Sequence, residues 1–128
     1  MIDTVYLSQK EKDQLLKIKR ATGIQNWNVL CRWALCLSLS DKTQPPAVET
    51  TGDHAIEMNW KVFGGQDHDL YLAILKKRCH KENTPLDREN LTKSLRAHLN
   101  RGIRQLTEHK NIIAFITTEH ASTIKISK

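Results

Sequence analysis

Residues 4–39 read TVYLSQKEKDQLLKIKRATGIQNWNVLCRWALCLSL, and their order decides how the fold begins. Ile2 to Leu7 reads as a short strand, because Val5 and Tyr6 suit a pleated, half-buried surface. Ser8 stands where a helix N-cap belongs, with Glu11 three residues later. That spacing is a capping box: the hydroxyl takes one orphan backbone N–H and the carboxylate reaches back to the cap. The helix runs to about Ala21, and Gly23 supplies its left-handed stop. Leu15, Ile18 and Thr22 share one face, with Leu16 to the side. Lys10, Lys17 and Arg20 fall around the opposite face, and Lys12 and Lys19 occupy a flank. A second helix starts near Asn26 and runs to about Leu39. Ten of the thirteen positions from Trp27 to Leu39 are apolar, on every side of the wheel. A helix without a polar face is buried. So small a chain can hardly cover it alone, so the expectation is a homo-oligomer in which another subunit does.

Downstream, Asp41 to Asp53 reads as a loop, with Pro45-Pro46 and Gly52. Ile56 to Phe63 alternates apolar and polar residues and predicts a half-buried strand ended by Gly64-Gly65. Asp67 or Asp69 caps a third helix running to about Lys81, in which Leu70, Ile74 and Cys79 pack. Its last turns carry Lys76, Lys77, Arg78 and Lys81, where cations complement the helix dipole. Asp87 caps a fourth helix with an apolar stripe of Leu91, Leu95, Leu99, Ile103 and Leu106. Lys93, Arg96, Arg101 and Arg104 are expected on its far side. Ile112 to Lys128 is rich in β-branched residues and reads as a last strand.

The chain has 128 residues, of which 39% are hydrophobic and 27% charged. That suits one soluble domain, mainly α with short strands, beginning strand-helix-helix in a ribbon-helix-helix-like order. The expected divisions are strand-helix-helix over 1–40, a loop over 41–55, a strand and two helices over 56–110, and a tail over 111–128. No run of about 18 apolar residues could span a membrane, and the N-terminus has no signal-peptide pattern. Three cysteines argue against a disulfide framework and for a reducing, cytoplasmic setting.

The formal net charge is +6, which points to an anionic partner, nucleic acid foremost. The excess is local: residues 76–110 hold ten basic and four acidic residues. Two basic sets are candidate phosphate contacts: Lys10, Lys12, Lys17, Lys19 and Arg20 on the first helix, and Lys93, Arg96, Arg101 and Arg104 on the fourth. On the first helix, Glu11 and Asp13 stand at spacings that could neutralise them. No catalytic constellation is present: no phosphate-binding glycine loop, no nucleophile elbow and no paired carboxylates. Cys31 and Cys36 lie on different sides of one helix, and Cys79-His80 has no second pair at zinc spacing. Asp67-His68-Asp69 is acidic as helix starts are. His98 and the three tryptophans read as core. No metal and no cofactor are expected.

LSQKEKDQLLKIKRATGIQNWNVLCRWALCLSL, then QPP, IEMNWKVFGG, Tyr71, Leu75, Lys76, Arg78-Cys79 and HLNRGI together resemble the DndE family. That family is the small subunit of the bacterial DNA phosphorothioation system. The resemblance spans about Leu7 to Leu106 and is most specific around GIQNWNVLCRWALC. It implies a non-enzymatic, DNA-binding component in the bacterial cytoplasm, forming homo-oligomers (tetramers) and binding duplex DNA that carries a nick. Its implied partners are an iron–sulfur sulfur-transfer subunit and an ATPase subunit, which with it replace a non-bridging phosphate oxygen by sulfur. Two other readings stand beside it. One is a ribbon-helix-helix-like regulator reading base sequence; the other is a scaffold that touches only partner proteins.

Overall fold

The computed structural model describes residues 2–49 and 54–108, so the strand expected in 112–128 lies outside the described residues. The order is β1 (Thr4–Leu7), α1 (Gln9–Thr22), α2 (Trp27–Ser40), β2 (Ile56–Asn59), α3 (Trp60–Gly64), a single 3-10 turn (Gly65–Asp67), α4 (His68–Lys81) and α5 (Arg88–Glu108). The fold is mainly helical and opens strand-helix-helix. β1 pairs antiparallel with β2 of the same chain, Val5 opposite Met58 and Leu7 opposite Ile56.

The first helix forms as its residues dictate. Ser8 and Glu11 close the capping box, and Gly23 ends the helix at φ +77°. Residues beyond Glu11 that face inward are Leu15, Ile18 and Thr22. Asn26 occupies the N-cap of α2 without a side-chain cap bond, and the first turn of α2 carries no acid.

α2 and α5 form the centre of the molecule. An ideal Cβ on Gly102 would stand 1.8 Å from the Ala34 carbonyl oxygen, so the two helices meet backbone to backbone there. Only glycine permits that approach. Around the crossing, Leu30, Cys31, Ala34 and Leu35 of α2 meet the fully buried stripe Leu91, Leu95, Leu99, Ile103 and Leu106 of α5. The chain therefore covers half of α2 by itself, which corrects the expectation that only another subunit could. The other half keeps Val29, Trp33 and Leu37 partly buried and Cys36 exposed.

Two expectations fail locally. The strand over 56–63 stops at Asn59, because the Asn59 side chain accepts from Val62 N at 2.7 Å and caps the short helix α3. Helical spacing then buries Trp60 and Phe63 and leaves Val62 50% exposed. In α4, Leu75 and Cys79 face inward, whereas Leu70 and Ile74 point out. Residues 70–75 are apolar throughout, so periodicity picks no face, and packing against α3 and α5 decides. Of the tryptophans, Trp60 is core; Trp27 and Trp33 are half-buried.

Replacing Gly102 by Ala should cost about 3 kcal/mol or more, at the upper end of overpacking because the obstacle is rigid backbone. Urea unfolding of Gly102→Ala against wild type measures it. A loss under about 1 kcal/mol would show that the helices can part freely.

Candidate nucleic-acid interface

The carboxylates decide which cations remain available. Glu11 is buried: its Oε1 accepts from Ser8 N at 2.8 Å and from Arg96 Nη1 at 2.9 Å, and its Oε2 accepts from Asn100 Nδ2 at 3.1 Å. Arg96 also donates to the Tyr6 carbonyl. One carboxylate thus closes the cap of α1 and ties α1 to α5. Asp13 accepts from Gln9 at 2.9 Å. Of the two acids that could have neutralised the α1 cations, Glu11 is therefore drawn inward, and Asp13, which is exposed, forms no ion pair with them among the described residues.

Arg96 and Arg101 do not lie on the far side of α5 as expected; both are buried. A carboxylate and several carbonyls inside the fold hold them, and a guanidinium paid for in desolvation stays paired. Arg101 donates to Ser38 Oγ at 2.9 Å, to Ser38 O at 2.8 Å and to Thr43 O at 2.9 Å. Arg78 donates to Leu39 O at 2.9 Å, to Thr43 O at 2.8 Å and to Asp41 O. Together the two arginines satisfy carbonyls at the C-terminal end of α2, which no helix can satisfy internally. The sequence presented Arg78 only as a helix-end cation. Its capture of a loop 37 residues away has no local signal.

Ser38 Oγ accepts from Arg101 Nε at 2.9 Å and shares a hydrogen bond with His98 Nδ1 at 2.8 Å. His98 Nε2 faces Glu82 Oε1 at 3.7 Å. The order serine, histidine, glutamate resembles a nucleophile, a base and its orienting acid. Ser38 and His98 are fully buried and Arg101 occupies the hydroxyl, so no substrate can reach this trio. Burial, with Arg78 and Arg101 nearby, pushes the His98 pKa down to about 4. His98 is core, as its place beside the apolar stripe implies.

Cys31 and Cys79 are buried and Cys36 is exposed. Burial pushes the Cys31 pKa up to about 12, so it is an inert thiol. Among the described residues no three His, Cys, Asp or Glu side chains converge as a metal site would require. At the start of α4, His68 simply meets Asp69 at 3.2 Å.

The remaining candidates are at the surface. Lys10, Lys17 and Arg20 are exposed, and Lys12 and Lys19 are half-exposed. Lys19 Nζ sits 3.9 Å from the Trp27 ring centroid, which holds it at the junction of α1 and α2. Among the described residues none of these five cations forms an ion pair. On α5, Lys93 is exposed and pairs with Glu89 at 3.1 Å. Arg104 is exposed one turn beyond Asn100, the residue that touches α1, and so lies toward α1.

A family model described as DNA sulphur modification protein DndE matches residues 4–114. A crystal structure of DndE from Escherichia coli B7A, involved in DNA phosphorothioation modification, superposes with a TM-score of 0.66 at 26% identity. The alignment covers 83% of this chain and 99% of that one. A glycine-to-lysine double mutant of DndE, also involved in DNA phosphorothioation, shares the fold with a TM-score of 0.63. It is 21% identical over 82% of this chain and 99% of that one. No curated protein matches the sequence.

His98 gives the buried network a measurable signature. Its folded pKa of about 4 lies below the ordinary 6.5, so the unfolded chain takes up the proton first. Stability from this group is complete above pH 6.5 and is lost as pH falls toward 4, by on the order of 3 kcal/mol. Urea unfolding across that window should show a steeper decline for wild type than for His98→Gln. Superimposable profiles would remove His98 from the account.

Proposed function

This chain belongs to the DndE family of DNA sulphur modification proteins, and we propose that it is the component of the phosphorothioation machinery that holds the DNA backbone. The observation that carries this reading is the state of α1. Among the described residues its five cations, Lys10, Lys12, Lys17, Lys19 and Arg20, form no ion pair, with Glu11 turned inward to Arg96. Arg104 extends the same side, and Lys93 contributes more weakly because Glu89 already partners it. Arg96 and Arg101 are left out, being consumed inside.

Such a surface, made mostly of lysines on an exposed helix, meets phosphates as point charges, so binding is largely independent of sequence. The regulator reading is less supported, because the strand that would enter the groove is paired with β2 and Tyr6 stacks on His54. The reading includes assembly through the outward half of α2, where Val29, Trp33 and Cys36 border a cleft of about 300 Å³ with Arg32 and Tyr71. A tetramer repeats the cationic face several times, and linked weak contacts reinforce one another. A continuous duplex resists bending over tens of base pairs. A nick acts as a hinge that lets both arms meet separate faces, which is the basis for proposing nicked duplex as the preferred form. The partners in this reading are the iron–sulfur sulfur-transfer subunit and the ATPase subunit. In this reading the chemistry falls to those partners, and this chain holds the DNA.

Fluorescence anisotropy with unrelated duplexes, intact and nicked, at 50 to 200 mM salt tests the reading; that range is where phosphate contacts dominate the salt dependence. Lys17→Glu with Arg20→Glu should weaken every duplex by about tenfold or more. It should also lower the salt slope by about two units, one per lost contact. Unchanged binding would move the DNA surface off α1.

A further inference from the structure

α4 carries a surface that DNA holding does not use. Leu70, Ile74, Lys77 and Lys81 recur at helical spacing and form the face turned directly away from the buried Leu75 and Cys79. Leu70 is 57% exposed and Ile74 39%, an apolar pair where a solvent face would be polar. Lys77 and Lys81 continue the stripe toward the C-terminal end, exposed and without an ion pair among the described residues. The acids nearest in sequence are spoken for: Asp69 meets His68, and Glu82 meets Arg78 at 3.2 Å. α1 packs on α5 and α2, whereas α4 packs on α3 and α5, so this stripe and the α1 cations belong to different surfaces.

We propose that the Leu70–Ile74–Lys77–Lys81 face of α4 docks an acidic, amphipathic segment of another protein of the phosphorothioation machinery. The proposal rests on the reading of this chain as part of that machinery. A helix laid along α4 would seat apolar side chains on Leu70 and Ile74 and bring carboxylates to the two lysines. Charge complementarity selects an acidic partner, and the apolar pair selects protein over nucleic acid, since phosphates and sugars give Leu70 and Ile74 nothing to bury against. The molecule then holds DNA on one surface and a partner protein on another.

The test uses the full chain with the purified sulfur-transfer and ATPase proteins of the system. Two variants are measured: Leu70→Ser with Ile74→Ser, and Lys77→Glu with Lys81→Glu. Each should weaken capture of one partner at least tenfold. Melting temperature, sedimentation and duplex affinity should stay as in wild type, because all four side chains point outward. The lysine pair should also flatten the salt dependence of capture. Capture equal to wild type overturns the proposal alone. Dissociation into smaller species overturns it in favour of a second copy of this chain. A parallel fall in duplex affinity overturns it in favour of nucleic acid. A wild type that binds DNA but neither partner overturns both this proposal and the partner reading beneath it.

Discussion

Helices α2 and α5 touch where Gly102 lies against Ala34, and the rest of the molecule is arranged around that contact. A side chain at position 102 would hold the helices apart and open the core between them. With the helices this close, α5 reaches α1 through Arg96 and Asn100, and it reaches the end of α2 through Arg101. Arg78 then fixes the following loop from the α4 side. The apolar stripe of α5 supplies the burial, and the glycine sets the distance at which that burial becomes possible.

Local order was legible where local chemistry decides it. Ser8, Glu11 and Gly23 announce α1, and the five residues of the α5 stripe announce their own burial. What escaped reading depends on partners far along the chain. Arg96 and Arg101 look like surface cations by composition. They are inside because Glu11, 85 residues from Arg96, and Ser38, 63 residues from Arg101, wait for them. Leu70 and Ile74 fail for the opposite reason: a uniformly apolar stretch carries no phase. Asn59 was a missed local signal, since a cap residue inside an alternating run turns the chain into a helix.

The same burial reshapes the electrostatics. The row of cations expected along α5 shrinks to Lys93 and Arg104, and the weight of positive charge shifts to α1. Glu11 is central to that shift, because it supports the fold while being withdrawn from the surface. Removing it would take away a cap and a buried ion pair together, so its effect on DNA could be judged only beside its effect on stability. Lys10 and Lys17, exposed on α1, carry no such double duty.

The three thiols differ enough in environment to serve as a built-in reporter. Cys31 and Cys79 lie inside, whereas Cys36 sits on the outward half of α2 beside Trp33 and Tyr71. A maleimide spin label applied to the folded, unmutated chain would therefore settle on Cys36 first. Because Cys36 lies on the half of α2 through which assembly is proposed, labelling that is fast in a lone chain and slow in an oligomer would report whether that face is covered. A chain with three cysteines and one reachable from solvent offers that reporter without any engineering.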